Sequence, residues 1–110
     1  MDIGEKQQGK VSVLMPVGRL DNETSPAFQV KLLYAVAAGS AVLVDLSRVE
    51  YVSSAGLRAF MMASKRSKAL KGRIAVAALA PMVKEIFSIS RFSLIVEVFD
   101  TVAAALAALD

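Results

Sequence analysis

The sequence predicts an α/β fold, with a mixed, mainly parallel β-sheet of four to five strands and about four α-helices. Strand-like and helix-like segments alternate along the chain, as they do where crossover helices join parallel strands. Residues 41–46 and 73–79 are almost continuously apolar, which is typical of strands buried on both faces. With 110 residues, 55% of them hydrophobic, the chain is expected to form a single domain over residues 1–110.

The first strand is predicted over residues 11–17, where apolar and polar residues alternate before an apolar run. Pro16 lacks a backbone N–H, so we expect it near a sheet edge or at a bulge. Residues 1–10 are polar, and an edge strand and a frayed terminus are both open for them. Residues 18–21 are predicted to turn the chain.

The first helix is predicted over residues 26–38. Thr24 or Ser25 can cap its N-terminus, and proline suits its first position, Pro26. Apolar residues recur along it roughly at the spacing of a buried stripe. Gly39 is expected to end this helix.

The alternation continues beyond the strand at 41–46. Residues 47–52 are expected to form a connecting loop with apolar anchors. A second helix is predicted to open at the turn Ser53-Ser54-Ala55-Gly56 and to extend to about residue 70.

The last third of the chain is predicted to supply the remaining elements. Pro81 is expected to start the third helix. A loop over residues 88–93 is expected to lead into a last short strand over residues 94–99. Asp100 or Thr101 is expected to cap a final alanine-rich helix.

Two missing residue types exclude much catalytic chemistry. The chain contains no cysteine and no histidine. A disulfide scaffold, a thiol nucleophile, a histidine-dependent triad and the ordinary zinc and haem sites therefore cannot be built. We expect neither an enzyme nor a resident metal or cofactor.

The charge balance is mild, with 13 Lys and Arg against 10 Asp and Glu. The basic stretch over residues 58–73 is interpreted as the solvated face of a helix, because nucleic-acid binding usually needs a denser basic face with interleaved aromatics. No run approaches the ~20 apolar residues of a membrane helix, and residues 1–6 lack the order of a signal peptide. We expect a cytoplasmic protein with no nucleic-acid or membrane partner.

The polar loops at 18–26 and 47–56 each follow a strand and lead into a helix, where open α/β sheets usually carry their sites. The turn Ser53-Ser54-Ala55-Gly56 has two interpretations. Spacing alone favours a plain helix cap, in which a serine hydroxyl accepts from backbone N–H groups. The same position exposes a serine beside the positive end of a helix, where a phosphate is tolerated and acts on a docking partner.

Three segments carry a family resemblance. Residues 42–58 (VLVDLSRVEYVSSAGLR) resemble the core motif of the bacterial anti-sigma factor antagonists, the STAS domains. Residues 18–24 (GRLDNET) look like the Gly-x-Leu-Asp segment of that family, and residues 80–87 (APMVKEIF) look like its Pro-x-Val-x-x-x-Phe helix. The segments occur in the right order over nearly the whole chain, so the resemblance implies a STAS-type fold.

The resemblance also implies a function. Such proteins bind an anti-sigma factor that is also a serine kinase, and thereby free its sigma factor. The kinase, which binds the ATP and Mg²⁺, phosphorylates a serine of the motif and ends the capture, and a metal-dependent serine phosphatase reverses the step. This chain itself would need no cofactor.

Carried over residue by residue, the phosphoacceptor of the family falls on Ser54, with Ser53 as a minor alternative. Asp21 falls on the acidic residue that lies near the phosphoacceptor and helps to engage the kinase; a turn or cap aspartate is an equally good interpretation. The expected partner-binding residues are Asp21, Asn22, Thr24, Ser53, Ser54, Ala55, Gly56, Arg58 and Met62.

Three other classes compete with this interpretation. A STAS-like adaptor subunit of a transporter or lipid-trafficking complex would share the fold but would not need the Ser54 hydroxyl. A phospho-receiver domain would need an acidic cluster, whereas Asp45 stands alone at its strand end. An independent enzyme would have to use Asp21 with Ser54, and no oxyanion or metal constellation accompanies them.

Overall fold

The structure is a computed structural model that describes residues 1–39 and 41–110. Its elements in chain order are β1 (Ile3–Gln8), β2 (Val11–Pro16), β3 (Gly18–Leu20), α1 (Ser25–Ala38), β4 (Ala41–Asp45), β5 (Val49–Val52), α2 (Ser54–Ala69), β6 (Arg73–Ala77), α3 (Pro81–Ile89), a 3₁₀ turn (Phe92–Leu94), β7 (Glu97–Phe99) and α4 (Val102–Leu109).

The main sheet has five strands in the order β1-β2-β4-β6-β7. The strands β2, β4, β6 and β7 run parallel, and β1 adds to the edge antiparallel to β2. The predicted α/β fold with a mainly parallel sheet is therefore confirmed. The open question about the first ten residues is also answered, because Ile3–Gln8 form an edge strand.

Helices cover both faces of this sheet. The helices α1, α2 and α3 pack on one face over a core that contains Leu14, Val44 and Val76. On the other face, α4 packs over residues that alternate with these along the strands, such as Val13 and Leu43. Because successive strand side chains point to opposite faces, continuously apolar strands supply both cores.

A row of phenylalanine rings joins the three helices on the first face. Phe28 of α1, Phe60 of α2 and Phe87 of α3 are fully buried, and their ring centroids lie 5.3 and 5.6 Å apart. Phe92 of the 3₁₀ turn continues the row at 6.1 Å. The tilted and edge-on arrangements are those that aromatic quadrupoles favour, so the row fixes the helices relative to one another.

The predicted turn at 18–21 and the predicted loop at 47–52 were partly wrong. Gly18–Leu20 and Val49–Val52 pair in parallel as a separate two-stranded sheet. The Gly18 N–H also donates to the Arg48 carbonyl at 2.9 Å. Each strand is too short to show a clear period in the sequence. The pairing stabilises both strands, together with the burial of Leu20, Val49 and Val52 in the core.

The last strand is shorter than the predicted 94–99. Phe92–Leu94 form a 3₁₀ turn after Arg91, whose φ of 61° reverses the chain, and only Glu97–Phe99 pair with β6. The strand predicted at 73–79 ends at Ala77, since Ala78 takes a positive φ of 59°. Pro16 lies beyond the last β2–β4 pair, Leu14 with Val44, so its missing N–H removes no bond to β4.

Candidate functional site

The pairing of β3 with β5 brings the two polar loops together. Leu20 is in register with Val52, and the Ser53 N–H donates to the Leu20 carbonyl at 2.8 Å. Asp21 follows Leu20 directly, and Ser54 follows Ser53. The predicted acidic residue and the predicted phosphoacceptor therefore flank a single backbone hydrogen bond.

The sequence left two roles open for this turn, a helix cap and an exposed serine, and the structure gives one role to each serine. Ser53 is the N-cap of α2, with extended backbone, and its Oγ accepts a long bond of 3.5 Å from the Gly56 N–H. Ser54 is the first helical residue and is exposed. Because Ser53 caps the helix, the Ser54 hydroxyl faces solvent and is not needed for the cap.

Gly56 lets the start of α2 lie close against β3. A Cβ atom at this position would lie 2.8 Å from Cγ1 of Val52, 3.1 Å from Cβ of Leu20 and 3.2 Å from the Leu20 carbonyl oxygen. The first of these distances is shorter than carbon atoms tolerate, and the backbone oxygen cannot move aside easily. Because Gly56 has no side chain, the start of α2 can approach Leu20 closely, and the Ser54 turn lies beside the Asp21 loop.

Asp21 organises the loop that precedes α1. Its Oδ1 accepts from the backbone N–H groups of Glu23 and Thr24 at 3.0 and 3.1 Å. The bond from the Thr24 backbone is the main cause that lowers the pKa of Asp21, and partial desolvation opposes it. Asp21 is therefore an ionised turn residue, and its position leaves it at the rim of the Ser54 turn.

Thr24 stands at the N-cap position of α1, as one of the two alternatives predicted, but its side chain makes no capping hydrogen bond. The Thr24 hydroxyl donates to the Arg19 carbonyl at 2.6 Å and accepts from the Asp21 N–H at 3.0 Å, so it closes the loop instead of capping the helix. Ser25 is buried, and its Oγ has no partner among the described residues. The backbone carbonyl of Asp21 accepts from the Ser25 N–H at 2.9 Å, so the turn satisfies the first N–H group of the helix.

The remaining predicted contact residues are spread along α2 and the loop. Asn22 is exposed in the Asp21 turn, Ala55 is half-buried, and Arg58 is exposed one helical turn after Ser54. Met62 lies a further turn along, where its Sδ accepts from Nε2 of Gln29 in α1 at 3.2 Å. Seven of the nine residues thus cluster around the Ser53–Ser54 turn, Arg58 borders them, and Met62 lies apart at the α1–α2 boundary.

Sequence reasoning missed one pair beside the cluster. The guanidinium of Arg19, on β3, lies 4.5 Å from the centroid of the Tyr51 ring, on β5. Such a contact is a cation–π interaction worth about 0.5–1 kcal/mol at an exposed site. The two residues became neighbours only through the short parallel pairing, for which the sequence gives no clear signal.

Within residues 1–39 and 41–110, no group of three or more acidic side chains is placed to hold a metal ion. No helix in that part of the chain is long and apolar enough to cross a membrane.

Comparison with known proteins assigns the family. Residues 3–97 match the family model described as "Mlab, STAS domain". The chain belongs to the STAS domain family. The STAS-type fold expected from the three sequence segments is thus confirmed.

Three relatives of this STAS domain are informative. BtrV of Bordetella bronchiseptica, which carries the name of an anti-sigma factor antagonist, is 40% identical over 67 residues, or 61% of this chain and 58% of BtrV. An anti-sigma factor antagonist from Mycobacterium paratuberculosis superposes with a TM-score of 0.89 at 25% identity, over 98% of this chain and 92% of the other. SpoIIAA of Bacillus in its phosphorylated form shares the fold, with a TM-score of 0.76 at 16% identity over 99% and 100% of the two chains.

Proposed function

We propose that this STAS domain is an anti-sigma factor antagonist that phosphorylation of Ser54 switches off. The unphosphorylated form binds an anti-sigma factor that is also a serine kinase, and the sigma factor is released. The observation that carries this proposal is the exposed Ser54 hydroxyl at the first position of α2, which the helix cap does not use.

The relatives support this assignment through their names. BtrV and the Mycobacterium paratuberculosis protein are both named as anti-sigma factor antagonists. SpoIIAA has a structure in a phosphorylated form, so a phosphate is compatible with this fold. The match covers only 58% of the length of BtrV, and the activity is therefore proposed on the site as well as on the names.

The start of α2 favours a phosphate at Ser54, whereas the ionised Asp21 at the rim of the turn opposes it. The first turn of α2 contains no acidic residue, and the helix dipole stabilises an anion there by about 0.3–1 kcal/mol. Arg58 lies one turn further along the helix, at the i+4 spacing from which a cation can approach the phosphate. Phosphorylation should thus leave the fold of the antagonist intact and act on its partner.

The loss of partner binding follows from the added charge. A phosphoserine brings about −1.5 to −2 charges and three acceptor oxygens to the docking surface. Where the partner covers the serine, the phosphate loses its hydration and is repelled by any acidic groups of the partner, so binding becomes weaker. A 10²–10³-fold loss of affinity needs only about 3–4 kcal/mol, so one modification suffices as a switch.

The proposed docking surface is the cluster around the Ser53–Ser54 turn, with Asp21, Asn22 and Thr24 on its loop side. Asp21 offers a fixed negative charge, because its turn holds the carboxylate in place. ATP and Mg²⁺ are bound by the kinase, and a metal-dependent serine phosphatase restores the hydroxyl. The proposed setting is the bacterial cytoplasm, where these partners act.

A phosphorylation assay tests the assignment. The chain is incubated with ATP, Mg²⁺ and the ATP-binding kinase encoded nearest to it, and the intact mass is measured. We expect one phosphate, mapped to Ser54 and absent from Ser54→Ala. Ser47→Ala is the matched control, since it removes an exposed serine outside the docking surface and should leave phosphorylation of Ser54 unchanged.

Two results would overturn the proposal. A phosphate on Ser53 would move the switch to the capping residue. No phosphate, together with partner binding that Ser54→Ala and Ser54→Asp leave unchanged, would instead identify an adaptor subunit of a transporter or lipid-trafficking complex.

A further inference from the structure

A second surface lies further along α2, between that helix and α1. We call it the α1–α2 groove; its cavity of about 870 Å³ is lined mainly by Val30, Tyr34, Ala37, Met62, Lys65 and Arg66. Val30 and Tyr34 are 69% and 77% exposed, and Met62 is 43% exposed. Large apolar side chains side by side at such exposure usually indicate a binding surface.

The groove lies between two helices that carry an excess of basic residues. The helices α1 and α2 contain five Lys and Arg and no Asp or Glu. The whole chain has 13 Lys and Arg against 10 Asp and Glu, so the segments outside these helices carry eight against ten. The positive net charge of the protein therefore comes from these two helices.

The cations of the groove rim are available for a partner. The ion pairs among the described residues involve Lys31, Arg73 and Lys84. Lys65 and Arg66 are both exposed, and they stand beside the apolar floor formed by the α1 side chains. A ligand that complements this surface needs an apolar stripe flanked by carboxylates.

We propose that the α1–α2 groove docks an acidic amphipathic helix of a protein partner. A groove between two helices accepts the apolar face of a third, as in other helix-in-groove interactions. Carboxylates that flank the apolar stripe then pair with Lys65 and Arg66. The opposite charges speed association and fix the register of the helix.

A second copy of this chain does not fit as the occupant. Among the four helices, only α3 carries an acidic residue, Glu85, and Lys84 precedes it. Two grooves placed face to face would also bring Lys65 and Arg66 of one copy against those of the other, which costs energy. The occupant is therefore expected to come from a different protein.

This surface is separate from the Ser54 switch. Lys65 lies 11 residues beyond Ser54 on α2, or about 16 Å at 1.5 Å per residue. That distance exceeds the Debye length of about 8–10 Å at physiological ionic strength. The groove should therefore bind its ligand whether or not Ser54 carries a charge, and Ser54→Asp should not change the affinity.

A designed peptide serves as the probe. It has about five helical turns (~18 residues), leucines at the i, i+3, i+4, i+7 spacing and glutamates elsewhere, with a fluorescent label. A matched peptide carries lysine in place of every glutamate. Fluorescence anisotropy should show binding of the acidic peptide that weakens at high salt, and at least tenfold weaker binding of the basic peptide.

Matched variants locate the binding site. Lys65→Glu should weaken binding of the acidic peptide at least tenfold, whereas Lys68→Glu, on the same helix but outside the groove, should change it less than threefold. Tyr34→Ser should weaken binding, and Leu94→Ser, which alters an equally exposed apolar residue elsewhere, should not. Thermal melts of all four variants check that each is folded.

Several outcomes would overturn the proposal. They are no binding of the acidic peptide at millimolar concentration, equal binding of both peptides, or equal effects of Lys65→Glu and Lys68→Glu. Binding to vesicles of phosphatidylglycerol that Lys65→Glu abolishes, in the absence of peptide binding, would assign the groove to a membrane surface. Sedimentation that shows a dimer sensitive to Tyr34→Ser would assign it to a second copy.

Discussion

Ser53 and Ser54 are adjacent and chemically identical, but the start of α2 gives their hydroxyls different surroundings. The Ser53 oxygen accepts from the Gly56 N–H, whereas Ser54 is exposed at the first helical position. One serine therefore holds the helix start, and the other is free to be modified. Asp21 can likewise serve in two ways. Its carboxylate stabilises the turn before α1, and it also lies at the rim of the candidate site.

At the scale of single residues, the sequence predicted which residues form the candidate site but not the hydrogen bonds that they make. The family resemblance located Ser54 and Asp21, while the side chain of Thr24 or Ser25 was expected to cap α1. The structure uses the Thr24 hydroxyl to close the loop onto Arg19. Hydrogen bonds of this kind depend on how the chain turns in space, and a residue type alone does not determine them.

The charge of Asp21 is expected to make stability depend on pH. Hydrogen bonding from the Thr24 backbone lowers the pKa of this carboxyl in the folded state. Its contribution to the free energy of unfolding is therefore complete above the unfolded-state pKa of about 3.9, and it is lost as the pH falls through the lower, folded-state pKa. Asp21→Asn should melt at a lower temperature than the wild type at pH 7, and the difference should disappear in strong acid.

A second variant separates charge from hydrogen bonding. Asp21→Ala removes the acceptor altogether, so it should stay less stable than Asp21→Asn at every pH. Melting curves by circular dichroism between pH 7 and pH ~2 provide the measurement. A constant difference between the wild type and Asp21→Asn over that range would show that the ionised form has no special role in the turn.

Among the elements, the short strands β3 and β5 have the largest influence on the site. Their pairing joins the loop of Asp21 to the turn of Ser54. The sequence predicted the long apolar strands and the helices near their observed places, because burial on a sheet leaves a repeating pattern. Strands of three or four residues leave no such pattern, and their partners lie about 30 residues away in the chain.

The close approach of α2 to β3 gives a test at the level of elements. Gly56→Ala would place a methyl group 2.8 Å from Cγ1 of Val52. We expect a loss of about 1–3 kcal/mol from overpacking, although alanine otherwise favours a helix over glycine by up to about 1 kcal/mol. Urea denaturation with a constant m-value would measure this loss.

Two controls make the result specific. Gly4→Ala meets only the flexible end of Met15 as its nearest neighbour, at 3.2 Å, and should change stability by less than about 0.5 kcal/mol. In a Val52→Ala background, Gly56→Ala should cost less than in the wild type, since the clashing atom is gone. If Gly56→Ala lowers the free energy of unfolding equally in both backgrounds, the loss does not come from the contact with Val52.

At the scale of the whole molecule, the sheet separates a three-helix face from a face covered by α4. The alternation of strands and helices predicted this architecture. The strand order and the exposure of Val30 and Tyr34 were not predicted, because both depend on which helices become neighbours. As a result, α2 carries the proposed Ser54 switch at its start and borders the α1–α2 groove further along.

The central claim is that one phosphate on an exposed Ser54 changes partner binding and leaves the fold unchanged. The most direct measurement is calorimetric titration of the kinase with unphosphorylated and fully Ser54-phosphorylated protein, alongside thermal melts of both forms. The account predicts a dissociation constant 10²–10³-fold larger for the phosphorylated form, or about 3–4 kcal/mol, and a melting temperature within a few degrees of the unmodified one. Equal affinities, or global unfolding on phosphorylation, would contradict it.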